Sequence, residues 1–378
     1  MKVLVNIARG LVGGLFIFSG LVKAIDPKGL SYKMQEFFEV WARDGFLPKL
    51  MNTFNEHSLT FSIVIITLEV ILGLALLVGW QKKMTTWLLL LLTLFFTFLT
   101  AFVLFTGKIK ACGCFGDCIP LTPTQTFTKD IILLVLVVLL LMGHKFIKPL
   151  FKPIICIAIL VIAISGVLFL QTYVQHHLPL KDCLPFKVGN NILELRKMPK
   201  DAVPDKFDYT FVYQKNGEKK EFGVNNIPDS TWQFVDRKQT LVQKGKNNIP
   251  LINDFSFTTE SGNDTTEAIL GQEGEYYLMY TSLFDEIKNP AKDWMEDIIL
   301  LIKANKINKK LFIVTTQIEQ SKKRYQVFIE GKKITQPIFT CDATALKTVA
   351  RSIPTLYLMN GSIVKQKWGL GDFKKVFK

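Results

Sequence analysis

Five apolar runs crowd the first 170 residues of this 378-residue chain, at roughly 3–25, 61–80, 84–107, 126–143 and 150–170. A bilayer's hydrocarbon core needs about 20 apolar residues in a helix, and each run meets or nearly meets that length. In hydrocarbon the backbone must satisfy its own hydrogen bonds, so runs of this kind read as transmembrane helices. Residues 171–378 read instead as an ordinary water-soluble sequence, and the mean hydropathy of +0.26 hides that step. The first run is too long for a signal peptide, is interrupted by Arg9, and ends in "SGLVKAIDP" without a convincing small-residue cleavage site. It reads as a retained helix.

Net charge is +14, divided evenly: residues 1–170 hold 15 Lys/Arg against 8 Asp/Glu, and the remainder 31 against 24. No basic block carries the interleaved aromatics of nucleic-acid binding. Contact with anionic lipid headgroups explains the basic excess of the first half. Orientation follows from Lys and Arg in short loops. Lys82 and Lys83 mark one loop, and Lys145, Lys148 and Lys152 another. Both are then cytoplasmic, which places the N-terminus inside. The 26–60 segment, the loop around residues 109–120 and everything after residue 171 fall on the outer, periplasmic side of the cytoplasmic (inner) membrane. Lys108 and Lys110 argue mildly against this and are outweighed.

Within the membrane half, "LSYKMQEFFEVWARDGFLPKLM" alternates at near-helical spacing. It suits either a surface helix dipping Phe37, Phe38 and Trp41 into lipid or a short helix capping the bundle. Two charges sit deep: Arg9 at about 9 Å and Glu69 at about 16 Å from the inner side, at 1.5 Å per residue. An isolated intramembrane charge needs a partner, and the two depths suggest an Arg9–Glu69 pair, functional or structural. Lys23, near the outer interface, reads as a snorkelling anchor.

The stretch "IKACGCFGDCIP" places Cys112, Cys114 and Cys118 in an outward loop. An oxidising compartment favours pairing, and a Cys112–Cys114 bond closes a small strained ring, which makes it an exchange site rather than a staple. Gly113 and Gly116 permit the tight backbone such a ring requires. Thr122-Pro123 then opens a helix whose N-terminus favours a thiolate if it points at the loop. A zinc site needs four ligands, with Cys183, His176 or His177 supplying the fourth. The loop lacks paired C-x2-C knuckles, so no metal is expected. A static disulfide is the third reading. Cys156 reads as a small buried hydrophobe in the fifth run.

In the soluble half, "FDYTFVYQKNGEKKEFGV" predicts a hairpin turning at Asn216-Gly217, with Trp232, Phe234 and "TLVQKG" adding strand. From about residue 268, "EYYLMY", a helix over 291–305, "KLFIVTT", the helix "ATALKTVARS" and two strands joined through Asn360-Gly361 alternate as in an α/β layer.

Several separated motifs carry a resemblance. "RGLVGGLFIFSGLVKAIDP", "LEVILGLALLVG" with Glu69 and Gly73, and "CGCFG" before a fourth helix resemble the DoxX/MauE family over residues 1–143. The longer architecture, including "LPFKVGNNI", is similar to a Bacteroidetes-type DoxX-like group. The resemblance implies a four-helix membrane bundle associated with thiol–disulfide chemistry, and a quinone as candidate electron acceptor, although no quinone motif is visible. Cys118 and Cys183 depart from the family pattern. As two extra outer-face thiols they suggest either a Cys118–Cys183 disulfide or a resolving role for Cys118 against a mixed disulfide at Cys114. The end of the chain, with "RSIPTLYLMNG", resembles the thioredoxin fold, in which the bond matching Ile353-Pro354 is cis and lines the active groove; X-Pro bonds are those that tolerate cis. The departure is chemical. Where that fold carries C-x-x-C this chain reads "YTSLFDEIKNP", and there is no cysteine between 184 and 340. Cys341 then reads as a packing thiol, and the groove at Pro354 as a docking surface for an extended segment.

These readings give residues 1–145 as a transmembrane four-helix bundle, 146–175 as a fifth helix, 176–266 as a β-rich periplasmic segment and 267–378 as a degenerate thioredoxin-like domain. The expected function is a thiol–disulfide relay at the outer face. Its partners are the lipid bilayer and a periplasmic thiol or thioredoxin-like protein, with no nucleic acid. The rival is a non-catalytic envelope scaffold. A transporter would rest on the buried charges alone, without matched repeat halves.

Overall fold

A computed structural model describes residues 1–109, 113, 115–243, 245–281, 310–316 and 337–377. The five apolar runs form helices α1 (Lys2–Ala24), α4 (Ser58–Val78), α5 (Lys82–Thr106), α6 (Pro123–Met142) and α7 (Pro153–His176), each long and apolar enough to cross a membrane. Between α1 and α4 lie α2 (Pro27–Arg43) and α3 (Pro48–Glu56). Local chemistry sets the boundaries. Asp26 caps α2 by accepting from the Gly29 amide at 3.2 Å. Thr122 and Gln125 form a reciprocal capping box ahead of Pro123. The left-handed Gly79 ends α4.

Helices α1 and α4 run antiparallel and nearly touch at two glycines: a Cβ on Gly73 would lie 2.8 Å from the Gly13 carbonyl oxygen. Close backbone approach of this kind is how membrane helices gain packing without a hydrophobic drive between them. The bundle core holds Val12, Phe16, Ile66, Leu89 and Val137. Apolar side chains such as Leu11, Leu91, Ile132 and Ile162 remain exposed on the outer faces of their helices, as lipid contact requires. Phe37 and Phe38 are buried in the bundle core and Trp41 packs against it, so α2 caps the bundle instead of dipping those three rings into lipid. Its amphipathic spacing fits both, and burial against α4 decides.

Beyond α7 the chain builds two sheets. The first has order β2-β1-β3, from β1 (Lys206–Lys215), β2 (Glu218–Gly223) and β3 (Gln233–Gln243), all antiparallel. Its hairpin turns at Asn216 and Gly217, with φ of 50° and 90°, the two positive values a two-residue primed turn needs. The second sheet has order β6-β5-β4-β7-β8. Here β4 (Glu275–Tyr280), β5 (Leu311–Thr315) and β6 (Ile338–Thr340) are parallel. β7 (Thr355–Asn360) and β8 (Ile363–Gly369) return antiparallel on the other side of β4. Among the described residues three short helices, α8 (Ile192–Arg196), α9 (Thr266–Leu270) and α10 (Ala343–Val349), accompany them. The Ile353-Pro354 bond is cis. The helix expected over 291–305 and most of "YTSLFDEIKNP" lie outside the described residues.

The core of this region divides the chain differently from the composition. Phe186, Ile192, Ile252, Phe255 and Phe257 pack with Tyr276, Tyr280 and Tyr357 of the second sheet. Residues on both flanks of the three-stranded sheet therefore belong with the second sheet, and β1–β3 project from it as an insertion. A change of pattern near residue 268 marks where the strands of the second sheet begin, not where its core begins.

Candidate functional site beneath and above the cysteine loop

The buried charges come first. The Arg9–Glu69 pair expected from their depths does not form. Its guanidinium donates to the carbonyls of Leu76 (Nε, 2.9 Å), Leu77 (Nη2, 2.6 Å) and Lys148 (Nη1, 3.0 Å). Antiparallel packing sets Arg9 level with the end of α4, where unpaired carbonyls and the negative end of the helix dipole attract a cation. Glu69 lies about two turns deeper at 5.4 Å per turn, level with Gly20, and its Oε1 accepts from Lys23 Nζ. Both side chains are buried, 2% and 1% exposed. Lys23 is thus no snorkelling anchor: it turns inward, over the Phe96 ring at 4.4 Å. On α6, the buried Asp130 accepts from Thr100 Oγ1 at 3.1 Å and pairs with Lys129 at 2.7 Å. Sequence reasoning missed Asp130, although a charge pair just inside an apolar run was a visible signal.

Above these groups sits the cysteine loop. Gly113 and Gly116 both have positive φ, 71° and 58°, the left-handed backbone that favours glycine. Phe115 is buried, packs on Phe18 at 6.0 Å between ring centres and carries Lys129 Nζ over its face at 4.8 Å. Cys112 and Cys114, the expected exchanging pair, lie outside the described residues. Cys118 is bonded to Cys183, across 65 residues of sequence. In this state Cys118 is therefore not a free resolving thiol, and neither sulfur is available to a metal. No group of three potential metal-binding side chains occurs among the described residues.

The disulfide belongs to a larger seam. Each of its cysteines follows an aspartate, and each aspartate holds a basic residue of the second sheet region. Arg351, three residues before Pro354, donates to Asp117 (Nη2, 2.7 Å) and to Asp26 (Nε, 2.8 Å). Lys367 on β8 pairs with Asp182 at 2.6 Å. Arg351 also stacks over Tyr32, with its guanidinium carbon 5.2 Å from the ring centre, and Lys347 reaches Gln35 at 2.8 Å. Ser352 donates to the carbonyl of His176 at the end of α7. Gly369 and Gly371 let the chain pass close to His177, where a Cβ would fall within 3.0 Å of its backbone or ring. Pro354 is buried, and the residues just before it face the membrane half of the same chain.

Electrostatics at the seam follow from burial. Desolvation opposes the Arg351 charge, but Asp26 and Asp117 more than offset it and hold its pKa above the ordinary arginine value. Burial pushes the Asp26 carboxyl up against the pull of Arg351, and the nearby Asp117 charge adds to the rise. Lys367 is likewise held up: burial opposes its charge, while Tyr357 and Asp182 favour it. Away from the seam, burial raises the Cys341 thiol to about 12, which leaves it unreactive. Cys156 is buried in α7.

Two spaces lie against α1 and α6, and the first is lined by Phe115 of the loop. A small, partly open cavity of about 20 Å³ lies among Phe16, Ser19, Lys23, Glu69, Phe115 and Asp130. An open crevice of about 540 Å³ runs between α1 and α6, with Leu11, Leu15, Ile132 and Leu136 along its length and Thr124, Gln125, Thr128 and Lys129 towards the start of α6.

Comparison with known proteins bears on the membrane half. No curated protein and no solved structure matches the chain. Residues 207–244, the span of β1–β3, match a family model described as a domain of unknown function, DUF8463. Residues 1–143, which cover α1 to α6, match the model described as methylamine utilisation protein MauE. With its five membrane-length apolar helices, the chain is a multi-pass membrane protein whose first 143 residues are similar to the MauE family.

Proposed function

We propose that this chain is a thiol–disulfide relay protein of the cytoplasmic membrane. Its Cys112–Cys114 pair exchanges at the periplasmic face, and its C-terminal region, a thioredoxin-like fold without C-x-x-C, meets the described part of the cysteine loop at Asp117. The observation that carries the reading is Arg351. It comes from the loop that holds the cis Ile353-Pro354 bond and joins Asp117 of the cysteine loop to Asp26 at the start of α2. In the thioredoxin fold that proline loop faces the reacting cysteines, and here it faces the cysteine loop of the membrane half. The strand order supports the fold: a central β4 parallel to β5 and antiparallel to β7, which pairs antiparallel with β8 at the edge. The outward assignment rests on the lysines of the α4–α5 and α6–α7 loops.

On this reading the cysteine pair supplies the chemistry and the C-terminal region positions it. A partner thiolate attacks one sulfur of the Cys112–Cys114 bond, the other leaves as thiolate, and the mixed disulfide resolves when that thiolate attacks in turn. The crevice between α1 and α6 has the volume and the amphipathic lining that a quinone ring and its isoprenoid tail require. Gln125, Thr128 and Lys129 would hold the ring oxygens, and a bound quinone would supply the terminal two-electron acceptor.

A scaffold remains the second reading, favoured by one observation: Cys118–Cys183 ties the cysteine loop to the segment after α7. Exchange with a small model disulfide separates the two. Cys112→Ser and Cys114→Ser each abolish exchange by the full-length protein in the relay account. Under the scaffold account, wild type shows no exchange and the same substitutions change only thermal stability.

A further inference from the structure

The small cavity beside Phe115 has a composition that simple packing does not explain. Its volume of about 20 Å³ is that of a site for one water molecule. Such a site needs two to four polar partners, and Ser19, Lys23, Glu69, Thr93, Lys129 and Asp130 all line it. Glu69 spends Oε1 on Lys23, while its Oε2 is fully buried with no hydrogen-bond partner among the described residues. A bare carboxylate oxygen at membrane depth is costly, and the cavity is the polar space beside it. The charged groups facing Glu69 there are Lys23 from α1 and Lys129 and Asp130 from α6. From α5 come Thr93 and Phe96, and no lining residue belongs to α2 or α7.

The cavity also has two neighbours that matter. Its lid, Phe115, is the residue next to Cys114. Leu15, Lys129 and Leu133 line both the cavity and the open crevice between α1 and α6. A water in the cavity is therefore one side chain away from the cysteine loop and one side chain away from the crevice.

We propose that this cavity is a proton-loading site, in which one water links the Glu69 carboxylate to Asp130 and Lys129. In the loading step a protonated Asp130 gives its O–H proton to the water while the water gives one of its own protons to Glu69 Oε2. The O–H bond on Asp130 and one O–H bond of the water break, one O–H bond forms on the water and one on Oε2, Asp130 returns to a carboxylate beside Lys129, and Glu69 becomes a neutral acid hydrogen-bonded to Lys23. Unloading reverses these transfers. The assignment deepens the relay reading and takes its purpose from it: two thiols that become a disulfide release two protons, and Glu69 gives one of them a place beneath the loop.

Infrared difference spectroscopy of the full chain in lipid nanodiscs, titrated with pH in H₂O and D₂O, reads the site directly. The expected result is a protonated-carboxyl stretching band that grows as pH falls and shifts promptly in D₂O. Glu69→Gln loses that band, and Asp130→Asn keeps it with slowed exchange. If Glu69→Gln does not fold, Lys23→Met/Glu69→Gln removes both charges of the pair and must lose the same band. A spectrum in which these variants retain every carboxyl band of the wild type overturns the proposal, as does a Glu69 band whose D₂O shift is equally fast in Asp130→Asn. The measurement uses no thiol partner and is repeated in Cys112→Ser. A Glu69 band in a protein whose thiols are inert defeats the relay and leaves the proton site standing. Exchanging thiols without the band do the reverse.

Discussion

Two clusters of buried charge organise this protein, and they differ in what surrounds them. Lys23 and Glu69 meet inside the helical bundle, 2% and 1% exposed, beside a single small cavity. Arg351 meets Asp26 and Asp117 at the seam between membrane helices and five-stranded sheet, itself 7% exposed while Asp117 is 38% exposed. The interior pair is a one-to-one match in which neither partner can turn to water. The seam cluster shares one cation between two carboxylates, and one of these keeps contact with solvent. Loss of a partner inside leaves a charge stranded; loss of a partner at the seam leaves one that can rehydrate. The first arrangement ties its charge to the bundle interior and to the cavity beside it, and the second suits a contact that holds a domain in place.

The largest effect tests the interior pair. Glu69→Ala leaves Lys23 buried without a counter-charge and costs about 3–5 kcal/mol, read as thermal unfolding in nanodiscs. Lys23→Met/Glu69→Leu recovers most of that loss, since a well-packed apolar pair is often as stable as a buried ionic one. Failure of the double variant to recover would erase the distinction between the two clusters. Next comes the staple at the seam. Cys118→Ser/Cys183→Ser removes a cross-link that closes a long loop, worth about 2–4 kcal/mol. Its specific signature is faster proteolysis of the segment after α7, with the bundle intact.

Arg351→Met has a smaller cost, about 2 kcal/mol, but a distinctive pH dependence. Burial already holds Asp26 above the ordinary aspartate value, so the folded chain binds that proton more readily than the unfolded one. Removing Arg351 removes the charge that opposes the rise and widens the gap. Stability of the variant therefore falls as pH climbs from the ordinary aspartate value of 3.8 through the raised one. Arg351→Met/Asp26→Asn flattens that dependence in urea titrations across the range; an unchanged slope would show that Asp26 is not desolvated by the seam. The smallest effect is at Cys341. Its thiol stays unlabelled by maleimide until the protein is denatured, and Cys341→Ala costs about 1 kcal/mol.

What the sequence discloses is what depends on neighbours in the chain. The five spans follow from the length of apolar runs, and the β1–β2 turn from Asn216-Gly217, because the causes are local. The interior pair is half legible. Glu69 demands a partner, but counting depth from helix ends selected Arg9 and overlooked two competitors: open carbonyls at the end of α4, and an inward Lys23. Nothing local announces the seam. Arg351 is 325 residues from Asp26 and 234 from Asp117, and an arginine ahead of a proline reads as an ordinary surface charge. The repeated Asp-Cys at 117–118 and 182–183 was the available signal, and its meaning depends on a sheet that folds far downstream.

The most direct test of the relay account is the redox state of the cysteine loop in intact cells. Acid quenching followed by a heavy maleimide, on wild type, Cys112→Ser and Cys114→Ser, counts the free thiols in place. The account predicts a mixture of oxidised and reduced Cys112–Cys114 that shifts with added reductant, while Cys118–Cys183 stays bonded. A loop that remains fully oxidised and indifferent to reductant would contradict it, and would make the cysteine loop a staple in a scaffold.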